Sequence, residues 1–301
     1  MQMQTIWIDR GGAQAVAGDE LSALMVASRG GAVAVIDAAA TAWLVLRGSA
    51  ALQCREGRFG LAAGQWIVLD RDSRPLLHTD AGGLSVGIAL SPRMQPMAAV
   101  EGGLFPGLGT MVAGSRGGVL RLWRRCAPFA RNGIRPHEVE RLRIEPVLRV
   151  LATQQAGFRE LVDRCPGRSL RRRRQVFTRM QRTWLYLAGH LDRPVRIPEL
   201  AEMGSVSVWY FTKTFQALYG EGPQATSTRL RLAHAASLLR ATRLSVSEAG
   251  AACGFENNCS FSRAFRARFG MPPSRYRMQG AAPYLANPIG TAGQAADPRA
   301  P

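Results

Sequence analysis

Apolar residues follow two different rhythms along the chain. Up to about residue 100 they come in short runs: Val33–Ile36, Ala42–Leu46, Ala51–Cys54, Gln65–Leu69 and Leu84–Leu90. Breaks at Gly30–Gly31, Gly48–Ser49, Glu56–Gly57, Gly64 and Gly82–Gly83 separate them. Short runs rich in Val, Ile, Leu and Trp predict strands, and their spacing predicts an antiparallel sandwich or barrel. Residues 101–110, EGGLFPGLGT, carry Gly and Pro without periodicity and read as a linker or lid.

Beyond residue 110 the apolar positions recur at helical spacing. Ser115 is a cap for a helix carrying Val119, Leu120, Trp123 and Ala127, ended by Asn132–Gly133. Pro136 and His137 open another helical region, and Pro146 suits the first turn of a further helix with the stripe Leu148, Leu151, Phe158 and Val162. Cys165-Pro166-Gly167 stops it. Ser169 then caps Leu170–His190, whose apolar face is Phe177, Met180, Trp184, Leu187 and Leu191. The run Arg171–Arg174 in its first turn is either a phosphate contact or a solvated face that opposes the helix dipole. These helices either form a dimer interface or pack only on their own chain.

The last ordered stretch repeats one pattern. In the first unit Leu200, Ala201 and Met203 are the inward face of a short helix, and Ser207 caps a second. Phe211 and Phe215 share the core face of that second helix, which leaves Val208, Trp209, Thr212 and Lys213 on the other side. In the second unit Val246, Ala249 and Cys253 face inward, Gly254 makes a turn and Phe255 plugs it. Phe261, Phe265 and Phe269 form the next buried stripe, with Asn258, Cys259, Ser262 and Arg263 outward and Ser260 and Arg266 flanking. Gly270 is a helix stop, and Pro272–Pro273 starts a closing helix that ends at Tyr276–Arg277. A short helix, a tight turn and a second helix with one polar face is helix-turn-helix grammar, whose second helix enters a DNA major groove. Between the units Pro223–Arg240 reads as one amphipathic helix with Leu230, Leu238 and Leu239 among its apolar positions. A strut of about 27 Å can present two reading helices to groove faces one turn, about 34 Å, apart.

Charge agrees with this reading but does not establish it. The chain of 301 residues has 39 basic against 21 acidic residues, a net charge of +18, and nearly all the excess lies beyond residue 110. Such an excess favours a polyanion, nucleic acid first and an anionic membrane second. Lys213 is the sole lysine, however, and arginine-rich composition also follows from a GC-rich genome. The five cysteines, Cys54, Cys126, Cys165, Cys253 and Cys259, are scattered with no C-x-x-C, which points to reduced thiols in a cytoplasm. No signal-peptide pattern opens the chain and no apolar window reaches membrane-spanning length. A metal centre needs three or four convergent ligands, and His78 stands by itself in the N-terminal part, so no metal, cofactor or catalytic set is expected.

Two resemblances organise these observations. The run from Trp43 to Cys54, followed by Phe59-Gly-Leu-Ala-Ala-Gly-Gln-Trp-Ile-Val-Leu, resembles a cupin half-barrel. The C-terminal run Ala249-x-x-x-Cys253-Gly-Phe…Phe261-Ser-Arg-x-Phe265-Arg…Phe269-Gly-x-x-Pro273-x-x-Tyr276-Arg277 resembles the signature of the AraC/XylS family of bacterial transcription regulators, and the likeness extends over residues 192–278. With the periodicity of residues 111–190, read as a helical connector, and the Ala/Gly/Pro-rich, aperiodic residues 279–301, read as a disordered tail, the resemblances give an α+β multidomain chain: a cupin-like antiparallel barrel (1–110) for an effector or for dimerisation and a DNA-binding domain with two helix-turn-helix units (191–278). The AraC/XylS resemblance also implies promoter DNA and RNA polymerase as partners, with a homodimer and a small-molecule effector in prospect. The barrel holds either an effector pocket or dimer contacts only. The chain departs from the family at Thr226–Ser227, where a Tyr-Leu pair is usual, and at Gly222 and Pro272, where a capping Ser is usual. Looser packing between strut and first unit is expected from the former.

Side-chain chemistry assigns roles on the outward faces. Arg263 suits a bidentate contact to guanine, and Asn258 suits adenine or phosphate. Trp209 suits a thymine methyl or sugar, Lys213 a base or phosphate, and Thr212 and Ser262 phosphate or sugar. Cys259 either tunes base preference or fills space. The expected function is sequence-specific DNA binding in transcription regulation, not enzymatic; the alternative is an architectural protein that binds nucleic acid by charge alone.

Overall fold

A computed structural model describes residues 3–17, 22–91, 104–111 and 151–278, together with residues 118, 121, 124 and 148. The expectations for Ser115 and its helix face, for Asn132–Gly133, Pro136 and Pro146, and for the tail 279–301 lie outside the described residues. The chain divides into two compact units, residues 1–163 and 164–301.

The first unit is built from two sheets. Strands β1 (Met3–Ile8), β3 (Ser22–Ser28), β5 (Ala40–Arg47), β8 (Gln65–Asp70), β10 (Leu84–Leu90) and β11 (Gly107–Thr110) form one, in the order β1-β3-β10-β5-β8-β11. Strands β2 (Ala13–Ala17), β4 (Ala32–Ile36), β6 (Ser49–Cys54), β7 (Gly57–Ala62) and β9 (Leu76–Thr79) form the other, in the order β2-β4-β9-β6-β7. The antiparallel expectation holds for most pairs, but β1 runs parallel to β3 and β2 parallel to β4. Both parallel strands precede the first apolar run recognised in the sequence, and both lie at sheet edges.

Burial patterns account for the two kinds of apolar run read at β4, β5 and β6, although β3, β7 and β9 share those patterns and were not read. In the five-stranded sheet β4, β6, β7 and β9 alternate buried with exposed or half-buried residues, as a sheet with one wet face must. In the six-stranded sheet β3 is buried at every position and β5 at all but its last. Its second face is covered: Leu44, Leu46, Trp66, Val68 and Ile88 pack with Leu104, Met111, Leu148 and Leu151. A strand dry on both faces loses alternation and reads as a continuous apolar run. Between the sheets, the Thr79 hydroxyl on β9 donates to Ser85 Oγ on β10 at 3.0 Å, which satisfies two fully buried groups.

The linker or lid expected at residues 101–110 is corrected in its second half, where Gly107–Thr110 is strand β11, antiparallel to β8. Gly109 is there for closeness: a methyl group on it would sit 2.6 Å from Cζ2 of Trp66. Glycine in that segment admits a tryptophan against the strand, and the pattern mimics a flexible loop. Gln155 anchors the same segment, accepting from Phe105 N at 2.9 Å and donating to Phe105 O at 2.7 Å.

Helix α1 (Gly157–Arg164) buries Phe158 and Val162. The second unit holds α2 (Leu170–Gly189), α3 (Ile197–Met203), α4 (Val208–Tyr219), α5 (Pro223–Ala241), α6 (Val246–Ala252), α7 (Asn258–Phe269) and α8 (Pro273–Met278). Ser169 caps α2 as expected, accepting from Arg172 N at 3.2 Å. The helix buries Phe177, Met180, Trp184 and Leu187, and it packs on α3, α4 and α5. Among the described residues no helix is long and apolar enough to cross a membrane.

The strut α5 differs from a simple amphipathic helix. Thr226, Leu230 and Ala233 make one buried stripe, and Leu232, Ala235, Ala236 and Leu239 make a second, which joins the core of the second helix-turn-helix unit. Helical periodicity puts these stripes on different sides. A helix sandwiched between two partners has little polar face left. Packing is close at Thr226 and Ser227, against the looser fit expected: both are buried, and Thr226 donates to Glu221 Oε1 at 3.0 Å. Glu221 also pairs with Arg229 at 2.7 Å.

Candidate nucleic-acid interface

Two helices, α4 and α7, carry all nine outward residues named from the sequence, and each is seated by its own short support helix. Their placement begins with backbone chemistry. The first N–H groups of a helix have no internal partner and need a cap. On α4 Ser207 supplies it, accepting from Tyr210 N at 3.3 Å. On α7 the cap is Asn257, whose Oδ1 accepts from Cys259 N at 2.8 Å and Ser260 N at 3.4 Å. The support helix α6 starts with a full capping box: Ser245 Oγ accepts from Glu248 N at 3.1 Å, and Glu248 Oε2 accepts from Ser245 N at 2.6 Å. The Asn257 cap and this box were missed in the sequence, although S-x-x-E before an apolar run is a readable signal. Both outward helices end on a glycine in the left-handed region, Gly220 and Gly270.

Aromatic packing fixes the rotation of each helix. Phe211 and Phe215 are fully buried, with ring centroids 5.4 Å apart, and Tyr219 follows 4.5 Å from Phe215. Tyr219 donates to Gln181 Oε1 on α2 at 2.7 Å. In the second unit Phe261 and Phe265 are fully buried, Phe255 lies 5.2 Å from Phe261, and Tyr276 of α8 meets Phe265 edge-on at 5.2 Å. With these rings inward the opposite faces point to solvent. Cys253 is buried beside them, and burial pushes its thiol up to about 12, so it acts here as a packing group.

On α4, Val208 is 46% and Trp209 69% exposed, a large apolar surface for an unpartnered helix. Lys213 Nζ lies 4.9 Å from the Trp209 ring centroid, so the sole lysine and the exposed indole form one cation–π unit. Thr212 is half-buried, and its hydroxyl is spent on the Val208 carbonyl at 2.9 Å. On α7, Asn258, Cys259, Arg263 and Arg266 are exposed and Ser262 is half-buried. Asn258 Nδ2 donates to Ser247 Oγ on the support helix at 2.9 Å, so part of its hydrogen-bonding capacity is already directed inward. Arg266, in the last turn of α7, is at the far end of the helix from Asn258. The structure thus groups Val208, Trp209, Thr212 and Lys213 on one helix and Asn258, Cys259, Ser262, Arg263 and Arg266 on the other.

A polar cluster ties the first support helix to α2. Arg193 pairs with Glu199 through Nη2–Oε1 at 2.6 Å and Nη1–Oε2 at 3.2 Å. Tyr186 donates to the same carboxylate, and its ring stacks on His190 at 3.9 Å. The Arg193 guanidinium, assisted by Tyr186, holds the Glu199 carboxyl at about 2, below its usual 4.5. A depressed carboxyl contributes stability that is fully present above pH 4.5 and is lost as pH falls through about 2. Stability should therefore decline over that acid range, and Glu199→Gln should flatten the decline while lowering stability at neutral pH. Thermal melts of both chains across pH check this; parallel curves would overturn it.

Comparison with known proteins bears on this part of the chain. Residues 200–279 match a family model described as a helix-turn-helix domain. The HTH-type transcriptional regulator CdhR of Pseudomonas aeruginosa is 38% identical over 111 residues, covering 37% of this chain and 31% of that protein. The HTH-type transcriptional regulator GbdR of the same species is 32% identical over 95 residues, 32% of this chain and 26% of that protein. A solved transcriptional regulator of the AraC-type DNA-binding-domain kind from Chromobacterium violaceum is 28% identical, covers 35% of this chain and 94% of its own, and aligns with a TM-score of 0.34. The match thus spans 26–31% of the length of these two relatives.

Proposed function

We propose that this chain, whose residues 200–279 form a helix-turn-helix domain of the AraC/XylS type, is a sequence-specific DNA-binding transcription regulator. One observation carries the reading: two capped helices with solvent-facing polar sides, each on its own support helix, share a single strut. The strut is 19 residues long, about 28 Å at helical rise, a length suited to adjacent faces of one duplex.

In this reading α4 and α7 enter successive major grooves of promoter DNA. Arg263 takes a guanine edge, and Asn258, held by Ser247, takes an adenine or a phosphate. Trp209 and Lys213 act as a pair, with the indole against a thymine methyl or sugar and the ammonium on a phosphate or base. Val208, Thr212, Cys259, Ser262 and Arg266 complete the contact faces. The two-sheet unit binds a small effector or a second copy of the chain, and the DNA-bound form meets RNA polymerase in the cytoplasm. The competing reading is an architectural protein held by charge, which predicts no sequence preference and a steep salt dependence.

Selection of duplexes from a random library with the purified chain separates the two. A recovered motif supports regulation, and recovery of unrelated sequences supports the architectural reading. On a recovered duplex Arg263→Ala should cost about 1–3 kcal/mol, with little change on scrambled DNA. Equal losses on both would make Arg263 a phosphate anchor. Repeating the titration with candidate metabolites tests effector control, which an unchanged affinity throughout would count against.

A further inference from the structure

The strut carries a buried cation that its length and polarity do not explain. Arg231 is 7% exposed and projects from α5 into the second reading head. Its Nη1 donates to the Cys253 carbonyl at 3.2 Å and to the Gly254 carbonyl at 3.1 Å, and its guanidinium lies 4.5 Å from the Phe255 ring centroid. Those three residues are the turn between α6 and α7. They include carbonyls left without helical partners where α6 ends. A planar guanidinium is suited to this task, because one terminal nitrogen serves both acceptors while the face rests on an aromatic ring.

The same turn is seated from another direction by the first reading head. Gly254 sits so close to the segment between α2 and α3 that a methyl group on it would meet the Asp192 carbonyl oxygen at 2.6 Å and Arg193 Cα at 2.7 Å. Arg193 is in turn paired with Glu199 on α3. A continuous path therefore runs from the first support helix through Glu199, Arg193 and Gly254 to Arg231 on the strut. Both heads and the strut meet at one turn.

We infer that Arg231 is a positioning residue for DNA reading: it clamps the Cys253–Phe255 turn onto the strut and the Asp192–Arg193 segment, and so sets the spacing and phase at which α7 is presented relative to α4. This rests on the proposal that both helices read one duplex. Rigid presentation makes binding of the second head effectively intramolecular, at high local concentration only for a matching span. Loss of the clamp costs affinity and, more tellingly, costs discrimination between spacings.

The test uses the full chain, the variants Arg231→Met and Arg231→Lys, and a duplex recovered by selection with the unmodified chain. A second version of that duplex carries one base pair inserted between the two contacted segments, a shift of about 3.4 Å and about 35°. The unmodified chain should lose at least about tenfold in affinity on the insertion. Each variant should bind the parent duplex about tenfold more weakly, yet lose less than about threefold on the insertion. Arg231→Lys keeps the charge but loses the planar face that rests on Phe255, and it carries the test if Arg231→Met does not fold. A variant that melts earlier but keeps the full insertion penalty shows a purely structural arginine and overturns the inference. If the unmodified chain recovers no preferred duplex, the functional reading itself fails and the inference falls with it. A preferred duplex with undiminished spacer discrimination in both variants sinks the inference alone.

Discussion

Replacing Phe261 with alanine should destabilise the second reading head by about 3–5 kcal/mol, the range for emptying a fully buried phenylalanine site. The ring is fully buried and central. It contacts Phe255 at 5.2 Å and Phe265 at 5.5 Å between centroids, and it lies over Gly250, where an added methyl group would come within 3.0 Å of it. It shares one buried cluster with the strut residues Leu232, Ala235, Ala236 and Leu239 and with Ala249 and Cys253 of the support helix and its turn. Removal opens a cavity in the core shared by the strut, support helix and reading helix. Domains have about 5–15 kcal/mol in total, so the variant should lose a large share of its unfolding free energy in denaturant titrations followed by circular dichroism. Phe269→Ala is the control: its ring is only partly buried at the edge of the same cluster, and the loss should be clearly smaller. Equal losses would show that the stripe is not graded from centre to edge.

Gly254→Ala is expected to cost about 2–5 kcal/mol, the sum of a left-handed backbone penalty and an overpacking term. The two terms can be separated within this protein. Gly270 has nearly the same backbone, φ +75 against φ +70, but an added methyl group there meets nothing within 4 Å. Gly270→Ala should therefore show only the conformational part, about 1–2 kcal/mol. At Gly254 the methyl group meets backbone of Asp192 and Arg193, which cannot swing aside as a flexible side chain would. Thermal unfolding of the two variants side by side measures the difference. Matching melting temperatures would mean that the turn sits loosely on that segment, which would also remove one support of the Arg231 inference.

Legibility in the sequence followed solvent exposure. The wet-faced sheet was visible at β4 and β6, which alternate, while the four-residue β9 alternates too briefly to be read. Strand β2 was not visible, because its mostly exposed Ala13–Ala17 offers no pattern to read. Strand β11 was missed because the glycine that admits Trp66 looks the same as a glycine that loosens a loop. On the reading helices the phenylalanine stripes were read directly, since Phe211/Phe215 and Phe261/Phe265 at i, i+4 leave one outward face. Side-chain partners were a different matter. Trp209/Lys213 and Val208/Thr212 also stand at i, i+4, where contact is within reach, but nothing in the spacing told that Asn258 is held by Ser247 on another helix.

The division has a physical reason. Periodicity and glycine stops are local, so the amino-acid sequence by itself determined that two short-helix pairs exist, where the second helix of the first pair begins at Ser207, where that of the second pair ends at Gly270, and which of their faces avoid the core. Contacts between residues far apart in the chain depend on how those pieces close on one another, and only the tertiary structure decided them. Arg231 shows this most clearly: on the strut it is one of three arginines, and its meaning comes from carbonyls 22 and 23 residues further along. The strut likewise gained its second buried stripe, and Gly254 its crowded seat, only when the two heads packed around them.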